Sequence, residues 1–362
     1  MGNRVTFGEH QYDLIHVVHN GDRGAGFSAL VTYALNGVRR AHERNWLPVV
    51  EFTAAETPHF HDPAYGDNVW EYYFEPVAGL SSGQLREWLE AGKVTHEQVH
   101  RFSDRETVDW HVGDPDRITT FWGREQVHDR AAWMERKRRL GRDFVRRYVR
   151  LKPQIVEKFD QLCERLIRPG VTFGVHIRGT DFYYARPTQP EAYFGAIEAK
   201  GRELGYSEFR IFLATDQQQF VTAFETRFPG RVATCDALRS GNDIAPFKLR
   251  DVSPYKKGED VLLDMLLLSS CAYLFKSVSA VGEYAMWFNP ALECTDFALT
   301  SEFVSDKPLL WAGAYLTLDV DRQGPLRVAL WRAARIAIQV AQKLGRRLLR
   351  AWRWMVREQA AE

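Results

Sequence analysis

The sequence has few cysteines and lacks both a CxxC pair and a P-loop signature. Its 362 residues include four cysteines, and no two of them are spaced as a CxxC pair. This excludes a disulfide framework and a structural zinc site of the usual kind. His16, His19, His42, His59, His61 and His128 belong to no HExxH pattern, whereas His96-Glu97-Gln98-Val99-His100 matches that short pattern. No glycine-rich GKS/T loop is present, so P-loop chemistry is not indicated.

Long hydrophobic runs are also missing. The most apolar stretch, Val261 to Phe275, contains Asp264 and is shorter than the ~20 residues that a membrane-spanning helix needs. Asn3, Arg4 and Glu9 interrupt the region where a secretory signal would have its apolar segment. With 45% hydrophobic and 26% charged residues, the chain has enough apolar material for full-sized cores. We expect a soluble cytoplasmic protein.

Charge is nearly balanced overall but unevenly distributed. The total is +1, yet residues 325–362 carry nine Lys or Arg and two acidic residues, net +7, which leaves −6 on the preceding chain. Apolar residues recur at helical spacing in this tail: Leu326, Leu330, Ala333, Ala337, Val340, Ala341, Leu344, Leu348, Ala351, Trp352 and Met355. Such a pattern is typical of a helix that lies on an anionic bilayer, which would place the protein peripherally at the cytoplasmic membrane through residues 325–358. The alternative is a helix packed on the acidic body or on a second subunit, and no nucleic-acid partner is indicated.

The order of apolar patterns predicts an α/β fold with two parallel sheets. Residues 14–52 follow the order strand, glycine-containing loop, helix, strand, and residues 54–125 suggest insertions and short helices. Basic and amphipathic helices are predicted at 131–150 and 154–167. After Gly170 strands and helices alternate regularly, including a helix from Glu259 to Ser270 that follows a loop. We predict Rossmann-like lobes at 1–150 and 151–323 with a cleft between them, and a helical tail at 324–362.

Polar residues follow the first strand of the second half, where ligands bind in open α/β sheets. This strand leads into His176, Arg178 and Asp181. A guanidinium suits phosphate because its planar fork donates paired hydrogen bonds and stays charged. The alternative is a surface ion pair of Arg178 with Asp181 and a core role for His176.

Two further strand ends carry similar groups. One strand ends in Asp216, which could accept hydrogen bonds from a base or ribose, or could cap the following helix. Another is followed by Ser277 and Ser279 ahead of a helix. Hydroxyls and backbone N–H groups at a helix N-terminus can hold an anion, although a serine cap explains them equally well.

In this order, the three elements resemble the GDP-fucose-dependent fucosyltransferases that share an HxRxxD motif. The matching segments are His176–Asp181, Leu213–Asp216 and Ser277–Ser279. The helix Val261–Ser269 and, less specifically, the loop Gly21–Phe27 are also similar. The family includes bacterial nodulation-factor and core α1,6-enzymes, α1,2-enzymes and protein O-fucosyltransferases, and the resemblance covers about residues 170–290. It implies a GT-B-like fold of two Rossmann-like lobes without a required metal.

The resemblance also implies roles for individual residues. Arg178 would contact the donor pyrophosphate, His176 would lie near the nucleotide or sugar, and Asp216 would bind guanine. Ser277 and Ser279 would hold phosphate oxygens. A metal-free transferase has to neutralise the departing nucleoside diphosphate with protein donors, which suits Arg178.

The sequence departs from the family in two places. Gly179 stands where the α1,6 branch has a second arginine, and the glutamate that this branch uses as a base has no evident match. Asp22, in the first-strand loop with Gly24 and Gly26, is the candidate catalytic carboxylate, with a simple turn as the alternative. Asp181 completes the motif and is assigned with these glycines to nucleotide-sugar binding.

We therefore expect an inverting, metal-independent glycosyltransferase that moves fucose from GDP-fucose to a glycan acceptor in surface polysaccharide or glycoconjugate synthesis. The rivals are the same fold with another nucleotide sugar, and a non-catalytic, membrane-tethered protein that binds glycans or nucleotides. Two DxD matches, Asp114–Asp116 and Asp319–Asp321, would suit metal-dependent enzymes. A match this short arises readily by chance, so neither is assigned to a metal.

Overall fold

The computed structural model describes residues 4–20, 24–103, 116–120, 129–180, 188–241, 245–249 and 251–299. The predicted tail helix, Asp22, Asp181 and both DxD segments, apart from Asp116, lie outside the described residues. Among the described residues, no helix combines the length and apolarity that crossing a bilayer requires.

The first part of the chain builds a small parallel sheet. Its elements are β1 (Val5–Phe7), β2 (His10–Tyr12), β3 (Ile15–His19), α1 (Phe27–Glu43), β4 (Leu47–Val50), α2 (Trp70–Tyr73), α3 (Ser82–Glu90) and β5 (Val99–Ser103). β1 and β2 form an antiparallel hairpin, and the parallel sheet has the order β4-β3-β5. Helix α1 can lie on β3 because Gly37 has no side chain. A Cβ at Gly37 would come within 2.4 Å of Val18 Cγ1.

The second part builds a larger, fully parallel sheet. Its elements are α4 (Arg130–Tyr148), α5 (Pro153–Leu166), β6 (Thr172–Ile177), α6 (Pro190–Glu203), β7 (Arg210–Thr215), α7 (Gln218–Arg227), β8 (Val232–Ala233), α8 (Pro254–Ser269), β9 (Tyr273–Lys276), α9 (Ala280–Phe288) and β10 (Cys294–Asp296). The strand order is β10-β9-β6-β7-β8. All six residues of β6 are buried, and four of them are apolar or glycine, because helices cover both faces of the sheet.

An apolar core connects the two parts. Phe27 of α1 and Tyr73 of α2 pack in one cluster with Tyr255 of α8 and Trp287 of α9. The Tyr73 hydroxyl donates to the carbonyl of Tyr255 at 2.7 Å. Helix α4 lies close against α9, since a Cβ at Gly141 would come within 2.3 Å of the Trp287 ring. The core therefore holds elements from both sheets together.

The α/β class and the two parallel sheets predicted from the sequence are confirmed. One predicted boundary is wrong: α8 begins at Pro254 rather than near Glu259. Proline is favoured in the first turn of a helix, and the Ser253 side chain caps α8 by accepting from the Lys256 backbone N–H. Strands β5 and β10 were not anticipated.

Candidate functional site

The strand ends singled out in the sequence meet at one edge of the larger sheet. β6, β7 and β9 are parallel neighbours, so the residues that follow them share the carboxyl edge. Helices α7 and α9 start at this edge, because a helix that connects parallel strands runs back against them. His176, Arg178, Asp216, Ser277 and Ser279 are therefore brought together as predicted.

His176 is a buried, neutral imidazole. Its side chain is 6% exposed, and Nδ1 has no hydrogen-bond partner within the described part of the chain. Burial lowers its pKa to about 3, and the positive charges of Arg178 and Lys276 add to this effect. The Tyr193 hydroxyl donates to the His176 carbonyl at 3.1 Å, which fixes the end of β6. A neutral imidazole suits binding more than proton transfer near pH 7.

Arg178 is half-buried at the end of β6. Its Nε donates to the carbonyl of Thr180 at 3.1 Å, so the guanidinium curls over the loop that follows the strand. The predicted alternative, an ion pair with Asp181, involves a residue outside the described part and stays a prediction.

Asp216 holds the loop after β6. Its carboxylate accepts from the backbone N–H groups of Gly179 at 2.8 Å and Thr180 at 3.1 Å, and from the Thr180 hydroxyl. The alternative in which Asp216 caps the next helix is wrong, because α7 begins at Gln218 with Gln217 as its uncapped N-terminal residue. Asp216 instead joins the ends of β6 and β7.

The same loop explains the glycine that departs from the family pattern. A Cβ at Gly179 would come within 2.0 Å of Gln217 Oε1 and within 2.6 Å of the Phe220 ring. Any side chain here would therefore displace Gln217 or Phe220. The loop is packed tightly against the start of α7, and this leaves no room for a second arginine.

Ser277 and Ser279 place two buried hydroxyls at the start of α9. Each serine is 1% exposed, and neither Oγ has a hydrogen-bond partner among the described residues. Ser279 precedes α9 but its side chain makes no capping bond, so the simple serine-cap interpretation is wrong for this residue. Ser277 lies beside the Tyr193 hydroxyl without a well-formed hydrogen bond. Buried hydroxyls left unpaired are costly, and a bound anion would satisfy them.

A buried ion cluster lies behind these serines, and the sequence analysis missed it. Arg138 of α4 donates to Glu283 of α9 at 2.8 and 2.9 Å and to Asp296 of β10 at 2.5 Å. Lys276 of β9 pairs with Glu283 and lies 2.9 Å from Asp296. Burial by itself would raise the pKa of Glu283, but Lys276 and Arg138 outweigh it and lower the pKa to about 2.

The cluster contains two cations and two carboxylates, so it adds no net charge to the edge. Its four members come from α4, β9, α9 and β10, and only Lys276 and Glu283 are close in sequence. Their side chains are almost fully buried. The cluster therefore anchors both ends of the turn that carries Ser277 and Ser279.

The glycine loop belongs to the carboxyl edge of the smaller sheet. Gly26 precedes α1 with an extended backbone, and a Cβ there would lie 3.6 Å from the ring of Phe247. That is an ordinary contact, so Gly26 is not required by space. Gly24 is exposed. Asp22 lies outside the described residues, and its role stays a prediction.

Within the described part of the chain, no group of three or more His, Cys, Asp or Glu residues could hold a metal ion. The fold and edge thus define an α/β protein with two parallel sheets and a buried, polar, partly cationic site beside Arg178.

Comparisons with known proteins give structural likeness only. No protein-family model matches the sequence, and no curated protein matches it. The fucosyltransferase NodZ from Bradyrhizobium is 17% identical, with 80% of this chain and 98% of that chain covered and a TM-score of 0.46. A variant of Arabidopsis thaliana FUT1 in complex with GDP is 11% identical over 81% and 72% of the two chains, with a TM-score of 0.43.

POFUT1 in complex with GDP is 10% identical over 78% of this chain and 98% of that chain, with a TM-score of 0.43. Likeness of this degree does not transfer an activity, so function has to be argued from the site itself.

Proposed function

We propose that the protein is an inverting, metal-independent glycosyltransferase that moves fucose from GDP-fucose to a hydroxyl of a glycan acceptor. The observation that carries the proposal is the set of unpaired buried polar atoms, His176 Nδ1, Ser277 Oγ and Ser279 Oγ, beside the Arg178 guanidinium. Native proteins rarely leave such groups unpaired, so they indicate a ligand rich in acceptor oxygens. The resemblance of the HxRxxD motif around Arg178 to the fucosyltransferases supports a nucleotide sugar as that ligand.

The chemistry required at this edge is stabilisation of a leaving diphosphate. Arg178 would donate paired hydrogen bonds to the pyrophosphate oxygens, and Ser277 and Ser279 would donate from the start of α9. These donors are held before the reaction begins, which is the main requirement for electrostatic stabilisation of developing charge. Cleavage with strong leaving-group stabilisation also lessens the need for a strong base.

Asp216 is proposed to contact guanine, with Asp181 at the other end of the motif. A carboxylate has about four acceptor positions, and Gly179 and Thr180 use three of those on Asp216. One acceptor position is therefore left for an N–H of the base. Adenine and cytosine lack the ring N–H that guanine presents, so this arrangement favours guanine over those two bases. Uracil and thymine also carry a ring N–H, and the thermal-shift panel separates them from guanine.

The tail gives the enzyme a proposed location. Residues 325–358 would bind an anionic membrane surface and keep the enzyme peripheral at the cytoplasmic membrane, where surface glycans are assembled. The support is the charge asymmetry of the sequence and the apolar stripe along the tail.

A thermal-shift panel with GDP, UDP, dTDP and CMP tests the donor assignment. We expect GDP to stabilise the protein with or without EDTA, by about 2.7 kcal/mol at 100 times its dissociation constant. Stabilisation by UDP or CMP but not GDP would contradict the assignment, and activity lost in EDTA would contradict metal independence. GDP release from GDP-fucose with water as acceptor separates an enzyme from a protein that only binds nucleotide sugars, the second candidate.

A further inference from the structure

A histidine–glutamate pair lies at the carboxyl edge of the smaller sheet. His19 is the last residue of β3, and its Nδ1 lies 3.1 Å from Oε1 of Glu56. Both side chains are about one quarter exposed, at 25% and 24%, so the pair is packed but reachable from solvent. A carboxylate at Nδ1 favours the tautomer in which Nε2 is the basic nitrogen.

The carboxylate of this pair is held by its surroundings. Glu56 closes a turn in which its backbone N–H donates to the Thr53 carbonyl at 3.1 Å, and its Oε2 accepts from the Thr53 N–H at 3.3 Å. The buried side chain of Asn20 donates to the Glu56 carbonyl at 2.9 Å. Glu56 is thus tied both to its own turn and to the residue after His19, which fixes the imidazole plane.

The segments next to His19 and Glu56 lie beside Phe247, which belongs to the larger sheet's half of the chain. His19 and Gly26 stand at the two ends of the loop that connects β3 to α1. A Cβ at Gly26 would lie 3.6 Å from Phe247, a residue of the segment that follows β8 in the larger sheet. Phe60, which comes soon after Glu56, stacks on Phe247 with ring centroids 5.8 Å apart. The segments that flank the pair therefore lie beside the segment that follows β8.

The titratable groups described at the larger sheet's edge are poorly suited to take a proton. Asp216 accepts three hydrogen bonds from the loop after β6, and Glu283 and Asp296 are engaged in the buried ion cluster. His176 is neutral and buried, with a pKa of about 3, and is too weak a base near pH 7. None of these described groups is therefore a suitable base for the acceptor.

We propose that His19 is the general base of the transfer reaction and that Glu56 is the residue that positions it. The acceptor O–H gives its proton to His19 Nε2 while its oxygen bonds to the anomeric carbon of fucose. The bond between that carbon and the β-phosphate oxygen breaks, and its electron pair leaves with GDP. The imidazolium then loses the proton to water. This assignment rests on the proposed function.

The test measures GDP release from GDP-fucose with water as acceptor, because the identity of the glycan is not needed. General-base catalysis contributes about 10²–10⁴-fold, so His19→Gln should lower the rate about 10²-fold or more. Added imidazole should restore part of the rate in His19→Ala and leave the wild type unchanged. Glu56→Gln should lower kcat about tenfold with the KM for GDP-fucose unchanged, as expected of a positioning residue.

The controls separate this inference from the proposed function. His96→Gln changes an exposed histidine just before β5, at the amino edge of the sheet, and should behave like the wild type. GDP should stabilise every variant equally, which shows that the donor site is intact. A wild type that releases no GDP would overturn both proposals. Full activity in His19→Gln, or loss of activity in Asp22→Asn alone, would overturn only the base assignment.

Discussion

Glu283→Gln should be strongly destabilising, because Glu283 is one of the two carboxylates that Arg138 and Lys276 share in the buried ion cluster. It accepts two hydrogen bonds from Arg138, at 2.8 and 2.9 Å, and one from Lys276. The substitution leaves two buried cations with the single carboxylate of Asp296. Breaking a buried ion pair by removing one partner costs about 3–5 kcal/mol. At about 1.3 °C per kcal/mol, from an unfolding entropy of ~2.1 cal/mol/K per residue, Tm should fall by roughly 4–7 °C.

The effect should depend on pH in a defined direction. The folded-state pKa of Glu283 is lowered from the usual 4.5 to about 2, so its ionised form stabilises the fold above about pH 4.5. This stabilisation is lost as pH falls from about 4.5 through 2. The Tm difference between wild type and Glu283→Gln should therefore be constant above about pH 5 and shrink below about 4.5.

Calorimetry on the wild type, Glu283→Gln and Glu135→Gln provides the measurement and its control. Glu135 forms an ion pair with Arg142 at 3.2 Å on α4, but its side chain is 51% exposed. Exposed pairs contribute about 0–1 kcal/mol, so Glu135→Gln should barely change Tm. If both variants lost the same small amount, the cluster would not anchor the turn before α9.

Three further predictions concern the loop, the donor site and the tail. Arg178→Ala should lower GDP release from GDP-fucose by about 10²–10³-fold with the fold intact, and Arg178→Lys should also be impaired because an ammonium cannot reproduce the fork. Near wild-type rates would contradict a diphosphate role. Gly179→Ala should lower the free energy of unfolding, measured by denaturant titration, by about 1–3 kcal/mol, because the alanine Cβ would come within 2.0 Å of the Gln217 side chain. The additional substitution Gln217→Ala should restore part of this loss. Deleting residues 325–362 should abolish co-sedimentation with anionic vesicles, and GDP should still stabilise the remaining chain. An insoluble truncated protein would instead indicate that the tail packs on the body or on a second subunit.

The regular elements could be predicted from local patterns. The sequence pattern predicts a strand at 172–178 and helices near 190–204 and 280–287. β6, α6 and α9 agree with these bounds within one residue at each end. These segments carry continuous or periodic apolar residues, and burial against neighbouring layers follows directly from such patterns. Parallel β-strands also share one carboxyl edge. The sequence alone was therefore enough to predict that His176, Arg178, Asp216 and the serines lie at the same edge of the sheet.

Short strands without an apolar pattern could not be predicted from the sequence. β5 contains His100 and Arg101 in the middle of its five residues, and β10 spans only Cys294–Asp296. Both are strands because their backbones hydrogen-bond to a neighbour, β3 and β9 respectively. Backbone pairing leaves no signature in side-chain periodicity when a strand is this short.

The tertiary structure alone decided which partner each polar side chain takes. Asp216 had equally good local reasons to cap a helix, yet it bonds to Gly179 and Thr180 across the sheet. The partners in the ion cluster, Arg138 with Glu283, are 145 residues apart. Local sequence determines which segments are helices and strands, because that choice depends on neighbours within a few residues. Pairing of buried charges depends on which distant segments the packing brings within about 3 Å, and no local pattern contains that information.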